Sequence, residues 1–348
     1  MTTKYLQEDL EILAKELYIQ GFAGSTILVT GATGLIGSLC VKAIIEYNKL
    51  YSEPLYVIAM VRNREKAEIV FADYMKENGA IPFVSFIVQD VTAAIPSEVA
   101  CDYIIHTANS TNSKYFMTNP VEVIDTIYIG TKRILDYAVT HTVSGIVYLS
   151  SMEVFGKVNQ EFRCKEEDLG SLDIHNVRSC YSEGKRHAEL MCKCYAEEYS
   201  VPVRVARLAQ TFGAGVPKTE NRVFAQFARS ALKGEDIILH TCGRSVGNYC
   251  YTRDTVRALF LLLKKGEAGA AYTVVNEDTT RTIAEMAHLV AEEFSGGLSR
   301  VVFDIPDSNE YGYAPETNLR LSAEKLKYLG WHAEVGLEEM YERMIPDL

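Results

Sequence analysis

The sequence has no excess of basic charge. Its 46 acidic and 35 basic residues leave a formal net charge of −11 over 348 residues. A nucleic-acid binder needs a basic footprint to meet phosphates, so that class is excluded, although one small anion pocket is still allowed. A secretory signal is missing too: residues 1–21 carry charges throughout and have no apolar core. No apolar run approaches the ~18 residues of a membrane span; residues 258–263 are an example of how short these runs are. The eight cysteines show no metal-ligand spacing. Cys192 and Cys194 stand two apart with no histidine pair at finger distance. The expectation is reduced thiols in a cytoplasmic protein with no metal, no membrane contact and no disulfide framework.

What is present is ordinary globular chemistry, with 48% hydrophobic residues, enough for a real core. Leu6, Leu10, Leu13 and Leu17 repeat at helical spacing, which predicts an amphipathic helix packed on the main body. Short β-rich runs (25–30, 55–61, 83–88, 103–106, 145–150, 202–208) then alternate with helical patterns (35–47, 65–77, 121–141, 181–199). That alternation predicts right-handed crossovers and a parallel sheet covered on both faces. After about residue 209 the rhythm loosens into helices at 222–233, 255–265 and 282–294, a strand at 237–240 and a Gly/Pro-marked tail. The expected fold is α/β, a Rossmann-type doubly wound sheet over 23–208. A helical appendage (1–22) precedes it. A smaller mixed lobe (209–348) follows, which can interleave with the sheet.

The strongest motif is TILVTGATGLIG at 26–37. A β-branched strand enters a glycine turn and a helix leaves it. Gly31 permits the turn, Gly34 lets a pyrophosphate approach the backbone, and Gly37 lets the helix sit close to the sheet. The helix N-terminus then presents free N–H groups to phosphate. The second strand ends in Arg62, Asn63 and Arg64, with no carboxylate before Glu65. A carboxylate there would bond a ribose 2′-hydroxyl, whereas Arg accepts a 2′-phosphate, so NADP(H) is favoured over NAD(H). The alternative is that both arginines are solvated helix-start charges. Asp90, after the third strand, can accept from an adenine amino group.

Tyr181 and Lys185 stand four residues apart, one helical turn on one face. A nearby ammonium is expected to lower the phenol pKa and make Tyr181 a usable acid/base. Ser151, at the end of another expected strand, would bond the reacting oxygen. His106 ends a strand beside this region and is expected to be a packed, backbone-side residue.

These motifs, together with DYIIHTA (102–108), Asn119 and Pro120, Gly130 and Thr131, SSMEVFG (150–156), RLAQTFG (207–213) and YCYTRD (249–254), resemble the extended short-chain dehydrogenase/reductase family. The resemblance is to its nucleotide-sugar epimerase, dehydratase and decarboxylase branch, and it covers about residues 25–344. It implies a cofactor lobe and a lobe for a nucleoside diphosphate sugar. It makes Ser151, Tyr181 and Lys185 the catalytic set and gives Glu153 the place of a second acid/base. It also implies cofactor contacts from Gly31, Thr33, Gly34, Leu35, Ile36, Gly37, Arg62, Asp90, Val91, Thr107, Ala108, Tyr181 and Lys185. Substrate contacts are implied for Ser110, Ser151, Met152, Gln210, Arg244 and Arg253. Relatives often dimerise through the helices matching 121–141 and 181–199, so a homodimer is expected.

The chain departs from the family pattern at four positions. Met152 stands where hexose dehydratases carry an aspartic acid, and a thioether cannot donate a proton. Ile127 replaces a usual Asn, and Gln210 stands where an Asn is common. The arginine of the phosphate-binding strand falls at Gly247, leaving Arg244 or Arg253 to substitute. Three activities therefore stand in the sequence: an epimerase, dehydratase or decarboxylase that re-oxidises its cofactor in each turnover; an NADPH-dependent reductase of a nucleotide-linked keto sugar or ketose; and a non-catalytic binding protein. The complete set of Ser151, Tyr181 and Lys185 disfavours the last.

Overall fold

The computed structural model describes residues 2–77, 79–158, 162–306 and 316–348. The first half of the chain runs α1 (Lys4–Ile19), β1 (Thr26–Thr30), α2 (Leu35–Leu50), β2 (Tyr56–Val61), α3 (Arg64–Val70), β3 (Val84–Val88), β4 (Tyr103–His106), α4 (Ser113–Thr118), α5 (Pro120–Thr140), β5 (Gly145–Ser151), α6 (Ser179–Tyr199) and β6 (Val203–Leu208). It continues through β7 (Gln210–Phe212), α7 (Val223–Lys233), β8 (Ile237–Leu239), β9 (Val246–Tyr251), α8 (Thr252–Lys265), β10 (Ala271–Val274), β11 (Asn276–Thr282), α9 (Ile283–Phe294), β12 (Val301–Phe303), α10 (Glu324–Lys327) and α11 (Leu337–Met344).

Seven strands form one sheet in the order β10-β6-β5-β4-β1-β2-β3, and every pairing is parallel. The strands are apolar because both faces are buried. Along β1, Leu28 joins the core beneath α5 and α6, while Ile27 and Val29 face the opposite core with α1 and α2. Strand order reverses between β1 and β4, which opens a crevice at the carboxyl edge of the sheet. The glycine turn after β1, the ends of β4 and β5, and the start of α6 meet this edge.

The C-terminal lobe holds a three-stranded sheet, β11-β9-β7, and a parallel pair, β12-β8. The lobe and the sheet interleave: β10 pairs with β6 at the edge of the main sheet, and α8 packs against α1, α2 and β5. The expected helix over 65–77 is shorter. α3 stops at Val70, and Phe71 leaves the helix to bury its ring against Phe86, 5.9 Å between centroids. α4 was not anticipated; Asn112 caps it by accepting from the Lys114 and Tyr115 amides. α1 buries Leu6, Leu10, Leu13 and Leu17 as expected, and also Asp9.

Candidate active site

The glycine turn is built for close approach. Gly31 has φ +63°, and a Cβ there would lie 2.8 Å from both Ala108 Cα and Thr107 Oγ1. A Cβ on Gly37 would lie 2.5 Å from the Gly31 carbonyl oxygen. Gly34 precedes the first turn of α2, which contains Leu35, Ile36 and Gly37, and no side chain caps that helix. Its leading N–H groups, with Thr33 beside them, are therefore open to an anion. Thr107 donates to the Thr30 carbonyl at 2.7 Å, and the Ala108 amide donates to Thr30 Oγ1 at 3.2 Å, fastening the β4 end to the β1 end. Both polar atoms of the next side chain, Asn109, are buried without a partner. This cradle fits a dinucleotide: side chains would fill it, and the chain supplies none.

At the end of β2 the three polar residues have different tasks. Asn63 caps α3 by accepting from the Lys66 amide at 2.8 Å. Arg64 bonds Glu68 at 2.9 Å and covers the Phe86 ring at 4.5 Å. Only Arg62 stays largely free: its side chain is 71% exposed and 3.8 Å from Asp90. Burial works against the Asp90 carboxylate, but bonds from the Thr92 amide and hydroxyl and the charge of Arg62 outweigh it, so its pKa is lowered. Val91 spends its side chain against Gly130, where a Cβ would lie 2.8 Å from Val91 Cγ1.

Ser151 ends β5, and Tyr181 and Lys185 lie on the first turns of α6. Ser151 stands near the Tyr181 hydroxyl and favours its ionised form. Lys185 Nζ donates to the Leu149 carbonyl at 2.6 Å and sits 4.6 Å from the Tyr148 ring centre. All three thus meet at the carboxyl end of β5. The expected lowering of the phenol does not appear. Burial pushes Tyr181 above its ordinary value and the Glu153 charge adds to this; Ser151 and the charges of Arg178 and Arg222 only partly oppose them. Lys185 is itself pushed down to about 7 by burial, against the pull of Glu189 and Cys192. Burial disfavours the charged form of both groups.

Glu153 lies on the single 3-10 turn (Met152–Phe155) that follows β5. Its amide donates to Ser151 Oγ at 3.2 Å. Its carboxylate is gripped from three directions: Arg178 Nη1 reaches Oε2 at 2.8 Å, Arg178 Nη2 reaches Oε1 at 3.0 Å, and Ser182 Oγ reaches Oε2 at 3.1 Å. Phe116 of α4 stacks on Tyr181, with centroids 4.4 Å and planes 12° apart. Sequence reasoning missed Arg178, Ser182 and Phe116. The usable signal for the first two was position: Arg178 immediately precedes α6, and Ser182 shares its first turn with Tyr181.

The other candidates are scattered. Met152 is half-buried against the core, and Gln210 opens β7 opposite Tyr249. Ser110 lies in the loop after β4, accepting from the Asn112 amide. Arg244 sits on an exposed loop, paired with Glu316 at 3.3 Å. Arg253 is not placed to bind substrate. It is buried at the start of α8, bonded to Asp9 at 3.1 Å and Glu334 at 3.1 Å, so it anchors α1 instead. Ile127 fills the space beside Gly184 of α6. His106 is buried between Thr30 (2.7 Å) and Thr131 (3.3 Å) and pushed down to about 3 by burial and the Lys185 charge, the packed role expected of it. Among the described residues no cluster of three metal-binding side chains occurs, and no helix is long and apolar enough to cross a membrane.

A doubly wound sheet with a glycine cradle at its switch point and a Ser, Tyr and Lys set at the next strand end defines a dinucleotide enzyme of the extended short-chain dehydrogenase/reductase type. The chain belongs to the NAD dependent epimerase/dehydratase family, matching over residues 27–276. It is 28% identical over 324 residues to UDP-glucuronic acid decarboxylase 6 of Arabidopsis thaliana, covering 90% of this chain and 85% of that one. Its fold is shared with the UDP-glucose 4-epimerase of Thermotoga maritima, with TM-score 0.74, 23% identity, and coverage of 92% of this chain and 98% of that one. It is likewise shared with a dTDP-glucose 4,6-dehydratase of Bacillus anthracis solved with NAD, with TM-score 0.71, 20% identity, and coverage of 93% and 96%.

Proposed function

We propose that this chain converts a nucleoside diphosphate sugar by an epimerase-, dehydratase- or decarboxylase-type reaction that oxidises a carbinol carbon and returns the hydride to the sugar within one turnover. The observation that carries this reading is the meeting of Ser151, Tyr181 and Lys185 at the β5 end, next to the Gly31 cradle. The nicotinamide group, when bound, takes up and returns a hydride. Tyr181 takes the hydroxyl proton of the carbinol and gives it back, and Ser151 bonds the same oxygen. The charges of Arg178 and Arg222 favour the phenolate against burial, and Lys185 stands one helical turn from Tyr181, donating to the Leu149 carbonyl. Ser110, Met152, Gln210 and Arg244 are the candidate sugar-nucleotide contacts.

Arg62, with no carboxylate at the β2 end, supports NADP(H) over NAD(H). The decarboxylase relatives make a nucleoside diphosphate hexuronate the first substrate to test. Val121, Ile124 and Tyr128 of α5 and Leu190 of α6 expose apolar surface, which supports a homodimer through these helices. The thiols of Cys40, Cys101, Cys192 and Cys250, buried without disulfides, support a reducing, cytoplasmic setting.

The test is incubation of the purified protein with UDP-glucuronate, UDP-glucose or dTDP-glucose, with either cofactor. Product is read by mass spectrometry, and the nicotinamide absorbance is followed. Product without net absorbance change is the expected result. Stoichiometric NADPH consumption would instead support the reductase reading, which Arg62 and Met152 favour. Bound cofactor without any conversion would sink both.

A further inference from the structure

Resting on that reading, we propose that Arg178 is a positioning residue: it fixes the Glu153 carboxylate in one orientation beside Tyr181, with both oxygens engaged as hydrogen-bond acceptors. The observation is the completeness of the grip. Three donors converge on the two carboxylate oxygens, two of them from a single planar guanidinium. A carboxylate held this way acts as an acceptor only, in one orientation.

Arg178 is itself held on several sides. Its amide donates to Asn176 Oδ1 at 3.0 Å, and the neighbouring Ser179 hydroxyl donates to the Asp173 carbonyl at 2.6 Å. Its guanidinium lies 5.9 Å from the centre of the Phe116 ring, whose other contact is Tyr181. One residue therefore joins the Glu153 carboxylate to the ring stack that orients the phenol.

The consequence concerns reaction class. Expelling water from a keto sugar breaks a C–O bond; the departing hydroxyl must gain a proton while a base removes one from the adjacent carbon. Met152 has no proton to give, and Glu153 is bound as an acceptor. The centre is thus arranged for hydride and proton exchange at a carbinol carbon without loss of the sugar's hydroxyl groups. Epimerisation satisfies that balance as it stands; decarboxylation satisfies it when CO2 leaves with cleavage of its C–C bond and water supplies the proton to the carbon left behind.

The test uses full-length wild type, Arg178→Met, Arg178→Lys, Glu153→Gln and the Arg178→Met/Glu153→Gln double variant. Crystal structures locate the Glu153 carboxylate, and kinetics use the same three sugar nucleotides. In Arg178→Met the carboxylate should leave its place. On the substrate that wild type turns over, kcat should fall about a hundredfold, the scale of a misplaced group, with KM within about threefold. Lysine should restore only part of the rate, because a point charge cannot bond both oxygens. The double variant should be no slower than Glu153→Gln alone. An unmoved carboxylate, an unchanged kcat, multiplicative losses or water-elimination products would overturn the proposal. If wild type converts none of the three, the proposed function fails, and the crystal structures alone decide the role of Arg178.

Discussion

Tyr249 occupies the place where a side chain at position 247 would begin: a Cβ on Gly247 would lie 2.1 Å from the Tyr249 hydroxyl oxygen. The two residues are two apart on β9 and share a face. Position 247 has no room for a longer side chain, because a buried phenol fills that space, and its hydroxyl has no partner. Gly247→Arg should destabilise the protein by roughly 1–3 kcal/mol through overpacking. Thermal unfolding measures this, and Tyr249→Ser in the same chain should recover part of the loss. A Gly247→Arg protein as stable as wild type would show that the space is not shared.

Tyr181→Phe keeps the ring that stacks on Phe116 and removes the hydroxyl near Ser151. Turnover should vanish while cofactor affinity stays within about twofold, because the Gly31 cradle is untouched. Nicotinamide fluorescence titration and product assay check the two halves. Unaltered turnover would end the catalytic assignment.

Arg62→Ala should weaken NADPH far more than NADH. A charge-assisted bond to phosphate is worth about 1.5–3 kcal/mol, or roughly 10- to 150-fold in the dissociation constant. Equal losses for the two cofactors would show that Arg62 is only a solvated partner of Asp90.

His106 links stability to acid. Its folded-state pKa is depressed to about 3 from 6.5 by burial and the Lys185 charge. The folded protein therefore favours the neutral ring. The contribution is fully present above pH 6.5 and is lost as pH falls toward 3, at up to about 1.4 kcal/mol per pH unit. His106→Gln should flatten that slope in denaturant titrations run across the window; an unchanged slope would place the acid sensitivity elsewhere.

Asp9→Ala should loosen α1. Asp9 is fully buried and meets Arg253 at 3.1 Å, Arg343 at 3.4 Å and the Tyr251 hydroxyl at 2.5 Å. Removing one partner of a buried charged cluster costs about 3–5 kcal/mol. Calorimetry and limited proteolysis within residues 4–19 should both report it. A proteolytic pattern like that of wild type would mean that the leucine face alone holds the helix.

The parallel strands were legible because strands buried on both faces must be apolar, and the cradle because Gly31 and Gly37 tolerate no Cβ. What stayed hidden was pairing across distance. Nothing local ties Glu153 to Arg178, 25 residues on, or Arg253 to Asp9, 244 residues back. Arg253 was expected at the substrate because its motif sits there by resemblance, while burial gave it to α1. The phenol was misjudged for a similar reason: helical spacing reveals a neighbouring charge but not how much water the fold removes from both groups.

Asp347 receives both the Thr3 hydroxyl, at 3.3 Å, and the Gly215 amide, at 2.8 Å, so the start of α1 and the segment after α11 lie side by side. A short tether could join them, and fresh termini could be opened at Gly297, where nothing crowds the backbone. Such a circularly permuted form would leave the cradle and the tyrosine helix uninterrupted, and it would free both original ends from carrying an affinity tag.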